Sequence, residues 1–369
     1  MPTSRSSSSR GRPRASLASR RPRPEPEPAP ELKPKASQKR RAAASPATDF
    51  AALATEAPHP RGAALHRRST AAVVRLLLEE EQKSQAAALR AQGAIARAAE
   101  LVATALERGG RLIYVGAGTS GRLGALDAAE LPPTFGLDPA RAVAVLAGGP
   151  AALRHAVEGA EDRAEGVRRA FRRLEVGPRD VVCAIAASGV TPFARGALDE
   201  AVVRGAARIF ITCTPRAAWA VEKQVDVLVL LAVGPEMVAG STRLKAGTAT
   251  KMALNAISTA AMVRLGKVWR GRMVDLVATS AKLRDRAVRI VAELAGVERE
   301  EAAARLSAAG GHVKLALASV LLGCDVAAAQ RRLERAGGDL ERALELKGTS
   351  ARGEGRPRTP PPPPPRKRR

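Results

Sequence analysis

The chain is 369 residues long, with 61 Lys and Arg against 36 Asp and Glu and a formal net charge of +25. That charge gathers at the ends: residues 1–45 hold 12 basic and 3 acidic side chains, residues 351–369 hold 7 and 1, and the 305 residues between keep only +10. With aromatic residues at 2%, the composition speaks against a basic coat for nucleic acid and against strand binding on stacked aromatic rings.

Other classes fall away in the same manner. No run approaches the roughly 18 apolar residues that cross a bilayer, and the first residues have no apolar leader segment, so the sequence predicts a cytoplasmic protein without membrane contact. Cys183, Cys213 and Cys324 are widely spaced and fit a reducing compartment. The histidines His59, His66, His155 and His312 show no ligand spacing with them, so no metal site is expected.

In chain order, residues 1–47 are Ser, Arg, Pro and Glu-Pro repeats that cannot bury enough surface to fold. Residues 48–108 form an Ala/Leu/Glu/Arg-rich arm with helical spacing from Ser69 to Arg108, for example Val73, Val74, Leu76 and Leu77. Gly109-Gly110 stops that pattern. Five short apolar runs follow, Leu112–Val115, Val143–Leu146, Val181–Ala186, Ile209–Cys213 and Val227–Leu231, most of them separated by helix-like segments. Such runs imply an α/β domain over residues 109–270, a doubly wound parallel sheet of five strands covered on both faces. A helix over Ala246–Leu265 and several shorter ones with glycine breaks predict a small helical C-terminal subdomain over 271–347. Residues 348–369 read as a proline-rich tail ending in four basic residues. Arg outnumbers Lys 49 to 12, which points to a general coding bias in the tails, and no catalytic role is assigned to them.

The chemistry concentrates in three loops. After the first run the sequence continues Gly116-Ala-Gly118-Thr119-Ser120-Gly121-Arg122, a strand opening directly onto a helix through small and hydroxylated residues. Free N–H groups at that helix start make an anion site, most often for phosphate. Gly116, Gly118 and Gly121 match part of a dinucleotide fingerprint, but no acidic residue ends the second strand to hold a ribose, and no Lys occupies the turn as in a nucleotide P-loop. A second loop of this kind, Ala186-Ala-Ser188-Gly189-Val190-Thr191-Pro192, follows the third run. Two such turns on one sheet can converge on one phosphate or sugar. A third stretch, Gly234 to Thr248, carries Glu236, Ser241, Thr242, Arg243 and Lys245 ahead of the long helix, and reads equally as a helix cap.

Two carboxylates lie close to these loops in sequence. Glu130 is expected to end the first-loop helix just before Pro132-Pro133, and Glu161 follows the second strand within His155–Asp162. Paired carboxylates can divide acid and base work, although each alone reads first as a surface or capping residue, and Asp127, Glu158 and Asp162 are equally eligible on chemistry.

The run Gly116–Gly136, the segment His155–Asp162, the Ser188-Gly189 loop and Gly240–Thr248 together closely resemble the N-acetylmuramic acid 6-phosphate etherases, of the sugar isomerase (SIS) domain superfamily. The likeness extends from about Thr55 to about Leu346. It implies that the lactyl ether of N-acetylmuramic acid 6-phosphate is cleaved to N-acetylglucosamine 6-phosphate and D-lactate, with no cofactor, in a homodimer. By this resemblance Glu130 is the acid that protonates the departing lactate and Glu161 the second catalytic carboxylate. Gly118, Thr119, Ser120, Gly121 and Arg122, then Ser188, Gly189 and Thr191, then Glu236, Ser241, Thr242 and Lys245 are the implied sugar and phosphate ligands. The sequence departs from the family pattern at Val190, where Arg is common, and at His59 and His66, which replace an Asn and an Asp. Competing readings are a non-catalytic phosphosugar sensor similar to the glucokinase regulatory protein, a DNA-binding regulator responsive to phosphosugars, and an aldose–ketose phosphosugar isomerase.

Overall fold

The structure, a computed structural model, describes residues 53–276 and 281–346, so the tails expected over 1–47 and 348–369 lie outside the described residues. Residues 53–69 are turns with a single short helical turn at Leu65–Arg67, so the helical part of the N-terminal arm starts only at Thr70. Ser69 caps that start by accepting the Ala72 N–H at 3.3 Å. The helices α1 (Thr70–Arg90) and α2 (Gln92–Glu107) follow, broken at Ala91.

Each apolar run of the sequence is a strand: β1 (Leu112–Gly116), β2 (Ala142–Leu146), β3 (Val181–Ile185), β4 (Ala207–Thr212) and β5 (Val227–Leu230). Between them lie α3 (Gly118–Phe135), α4 (Glu165–Arg173), α5 (Pro192–Val203) and the short α6 (Pro215–Trp219). All pairings are parallel in the order β2-β1-β3-β4-β5. Because successive side chains point to opposite faces, Leu112 and Tyr114 enter the core beneath α2, α3 and α7 (Lys245–Arg264), while Ile113 and Val115 enter the one beneath α4 and α5. Both faces are apolar and covered, as expected of a sheet with parallel crossovers. The contact between α2 and α7 is rich in alanines, among them Ala98, Ala103, Ala249 and Ala253, all fully buried, so the two backbones approach closely.

A polar tie crosses this core. Tyr114 Oη donates to Asp127 Oδ2 at 2.6 Å and Ser258 Oγ to Asp127 Oδ1 at 3.2 Å, joining β1, α3 and α7. Burial raises the Asp127 pKa against those two hydrogen bonds.

The end of α3 differs from the sequence expectation. The helix does not stop at Glu130 but runs through Pro132 and Pro133 to Phe135. Each proline removes one internal hydrogen bond, yet Leu131 and Phe135 are buried in the main core and hold the last turn in place. Gly136 then closes it, donating its N–H to Pro132 O at 2.9 Å.

Past α7, a two-stranded hairpin, β6 (Val268–Trp269) and β7 (Arg272–Met273), leads to α8 (Ala281–Ala295), α9 (Arg299–Ala308), α10 (Val313–Leu321), α11 (Val326–Arg335) and α12 (Leu340–Glu345). These helices have their own core, built around Val274, Val291, Leu317 and Leu340. Asp275 links it to the sheet domain: it accepts from Lys267 and from Lys314, each at 2.9 Å. Lys267 reaches Phe135 O at 3.2 Å and Lys314 reaches Gly338 O at 2.8 Å. Asp275→Ala leaves the buried Lys314 and the half-buried Lys267 without this counter-charge and is expected to cost about 2 kcal/mol. Circular dichroism through a urea titration should then show the helical core melting ahead of the sheet; an unchanged single transition would dismiss Asp275 as the link.

Candidate active site

The chain leaves β1 toward β2 on one side and later returns to β3 on the other, so the loops after β1 and β3 diverge from neighbouring strand ends. Ligands of open parallel sheets bind in the crevice such a reversal creates. Here it holds a cavity of about 510 Å³ lined by Gly118, Thr119 and Ser120 from the first loop and Ser188, Val190 and Thr191 from the second.

The first loop is tight because its glycines let backbone meet backbone. A Cβ on Gly121 would lie 2.5 Å from Gly116 O, and one on Gly124 would lie 2.7 Å from the Tyr114 Cβ. The start of α3 is thereby pressed onto the end of β1. The first N–H groups of a helix, here at Gly118, Thr119 and Ser120, have no acceptor within the helix, the arrangement that suits an anion. The second loop is fixed from β4: Thr212 and Thr214 hydroxyls donate to Ala187 O at 3.3 and 3.2 Å, and Arg195 Nε donates to Gly189 O at 2.8 Å. Ser188 Oγ, 3.4 Å from the Val190 N–H, stays at the cavity wall.

Glu161 lines this cavity with Asp162, held there by the Phe193 N–H, which donates to Glu161 O at 2.9 Å. Thr242 lines it from the loop ahead of α7. The other candidates stand elsewhere. Gly121 packs on Gly116, and Gly189 packs on Ala217 and Thr212 behind its loop. Arg122 spends its guanidinium on Ala152 O and His155 O, at 2.9 and 3.2 Å, and borders only a smaller neighbouring cavity of about 150 Å³. Ser241 is half-buried and outside the main cavity's wall.

Glu236 and Lys245 are structural in this arrangement. The Glu236 carboxylate caps α7, accepting the N–H groups of Lys245 and Ala246 at 3.2 and 2.9 Å. Burial raises its pKa despite those two bonds. Lys245, 1% exposed, points away from the cavity into a knot beneath it, donating to Glu80 Oε2 at 2.8 Å and to Pro235 O at 2.6 Å. Lys83 joins Glu80 at 2.7 Å. His59 Nε2 lies 3.1 Å from the same carboxylate. The Arg61 N–H donates to His59 Nδ1 at 3.1 Å, which leaves the ring hydrogen on Nε2, facing Glu80. His59 is therefore a fitted part of the arm's anchor, whereas His66 is exposed on the short helical turn.

Glu130 is not in the cavity of its own chain. It lies exposed on α3, twelve residues past Gly118, about 18 Å along the helix axis at 1.5 Å per residue. Sequence spacing missed Glu56 and Leu53, which reach the cavity from the arm. No Lys or Arg lines the cavity among the described residues, and Val190 occupies the wall where the family pattern places a cation.

Comparison with known proteins fits this geometry. Residues 94–202 match the model of the glucokinase regulatory protein N-terminal SIS domain. An N-acetylmuramic acid 6-phosphate etherase of Mycolicibacterium smegmatis is 46% identical over 80% of this chain and 99% of its own. The chain belongs to the N-acetylmuramic acid 6-phosphate etherase family. An etherase of Synechocystis is 47% identical over 79% of this chain and 95% of its own, and one of Gloeobacter violaceus is 48% identical over the same shares. A phosphoheptose isomerase structure from Neisseria gonorrhoeae aligns at 18% identity with a TM-score of 0.36, covering 51% of this chain and 94% of that one.

Two expectations follow for the etherase. Gly121→Ala, which drives a methyl group into the Gly116 carbonyl, should cost roughly 1–3 kcal/mol and weaken inorganic phosphate binding in calorimetry; unchanged phosphate binding would mean that this turn does not shape the anion site. In Glu80, burial works against ionisation, but the hydrogen bonds and charges of Lys245 and Lys83 outweigh it and hold the carboxyl down to about 2, from 4.5. Its stabilisation is complete above about pH 4.5 and disappears as pH falls toward 2. Glu80→Gln should cost roughly 3 kcal/mol at pH 7 by stranding Lys245, and denaturant titrations should show the gap closing on acidification. A gap independent of pH would remove Glu80 ionisation as its cause.

Proposed function

We propose that this cavity cleaves the lactyl ether of N-acetylmuramic acid 6-phosphate, releasing D-lactate and leaving N-acetylglucosamine 6-phosphate, with no metal or nucleotide. The observation that carries the reading is one cavity joining the Thr119-Ser120 turn, the Ser188 loop and Glu161 at the reversal of strand order. The phosphate fits the open start of α3, where N–H groups and hydroxyls converge. Its binding energy positions the reacting carbons. The start of α7 is not available for this, since Glu236 already fills it.

With the sugar ring open, the C1 aldehyde acidifies the proton on C2. Glu161 removes that proton, the C3–O bond breaks, and a second carboxylate protonates the lactate oxygen as it leaves. Water then adds at C3 of the unsaturated aldehyde and the C2 proton returns. Family resemblance gives the second role to Glu130, and its distance from its own cavity supports its acting in another chain's. The enzyme is thus a homodimer in which each chain completes its partner's site. Leu126, one turn before Glu130 on α3 and 44% exposed, gives that face an apolar contact of the kind dimer interfaces bury. Three free cysteines, two of them buried, suit a reducing compartment, and we place the enzyme in the cytoplasm.

The wild-type chain is expected to release D-lactate from N-acetylmuramic acid 6-phosphate, and Glu130→Ala and Glu161→Ala to lose on the order of 100-fold or more in rate. Mixing the two variants through a denaturation and refolding cycle should restore about a quarter of the activity, because each mixed dimer holds one site with both glutamates. No restoration would refute the shared site, and no lactate from the folded wild type would refute the etherase reading. Glu130→Ala should still exchange deuterium at C2 while failing to eliminate.

A further inference from the structure

The arm places in the cavity a carboxylate that neither the loop motifs nor the two family glutamates account for. Glu56 lines the wall beside Leu53, its carboxylate making no hydrogen bond or ion pair among the described residues. What fixes it is the seating of the arm. The Gly240 N–H donates to Thr55 O at 2.9 Å. A Cβ on Gly240, whose φ is +75°, would come within 2.9 Å of Glu56 Oε2, and one on Gly62 within 2.7 Å of Met237 O. Three residues past Glu56, His59 enters the buried knot around Glu80, and Arg61 bonds Glu79 at 2.6 Å. The carboxylate is therefore held at the cavity by its neighbours along the chain and not by contacts of its own.

Its chemistry runs opposite to that of the two hydroxyl loops. Around the anion position the cavity offers donors, the N–H groups at the start of α3 and the hydroxyls of Thr119, Ser120 and Ser188. An ionised carboxylate only accepts. Beside a phosphate dianion it would repel, so it is matched to the uncharged, donor-bearing part of the ligand. We propose that Glu56 determines specificity by accepting a hydrogen bond from an N–H or O–H on the carbon frame of the sugar, so that the cavity holds an amino-sugar phosphate in preference to bare phosphate. This rests on the etherase reading of the same site.

Calorimetry on the full chain separates the two ligand parts. Glu56→Gln, which keeps the shape and removes the charge, should weaken binding of N-acetylglucosamine 6-phosphate about tenfold. Inorganic phosphate should bind as well or better, because a repelling charge is gone. Glu56→Ala should behave alike, and both variants should melt within a degree or so of the wild type, since the side chain holds no protein group. Sugar phosphate binding that stays unchanged, or that moves in step with inorganic phosphate, would overturn the proposal. Wild-type D-lactate release reports separately on the etherase reading, so the two can fail independently.

Discussion

Burying the Lys245 ammonium requires an anion within reach, and Glu80 of α1 provides it at 2.8 Å while also facing His59 of the arm at 3.1 Å. A single carboxylate thus joins the start of α7, the body of α1 and the arm that runs along the cavity. Ser84, one turn later on α1, donates to Lys245 O at 3.0 Å and fixes the same junction. An ion pair this deep adds little net stability over an apolar substitute, yet removing one partner is costly. Its value here is geometric, because the arm and the start of α7, which border the cavity, meet at it.

The sheet fixes the remaining walls. With β1 bonded to both β2 and β3, its terminal Gly116 is level with Leu146 on one side and Ile185 on the other. The loops after β1 and β3 therefore leave from one level and face each other across the crevice. That arrangement explains how the proposed anion site can do without a Lys or Arg in its wall among the described residues. The N–H groups and the dipole of α3 carry the positive end, and nearby arginines serve as struts: Arg122 holds the segment ahead of Glu161, and Arg195 holds the Ser188 loop. Carboxylates at Glu161, Asp162 and Glu56 can then approach the sugar without an adjacent ammonium to neutralise them.

The two family glutamates depend on different levels of organisation. Glu161 is placed by one backbone hydrogen bond to the start of α5. Glu130 lies on the outward side of α3, whose last turns are held by Leu131 and Phe135 in the core and by Gly136 against Asp275. The helical C-terminal core is joined through that same Asp275. The face carrying Glu130 is therefore stiffened by elements remote from the cavity, which suits the role across an interface proposed for it.

Much of this was legible in the residues themselves. Five apolar runs of strand length gave the sheet, because a strand buried on both faces must be apolar throughout. Gly116, Gly118 and Gly121 gave the tight turn from β1 into α3, because only glycine allows a helix to start so close to a strand end. Lys245 and Glu236 were misleading for a physical reason: a cation and a carboxylate beside a hydroxyl loop look the same in sequence whether they face a ligand or each other's neighbours underneath. Glu56 matches the Glu of the family's Thr-Glu-x-x-Asn segment, but its approach to the cavity was not legible, since it depends on Thr55 meeting Gly240 and on His59 meeting Glu80, contacts separated by 185 and 21 positions. Local pattern determined the elements and the tight turn after β1, where the forces act between near neighbours. Which carboxylates share a cavity was decided only by the tertiary structure, because a buried charge settles wherever its counter-charge lies, however far along the chain.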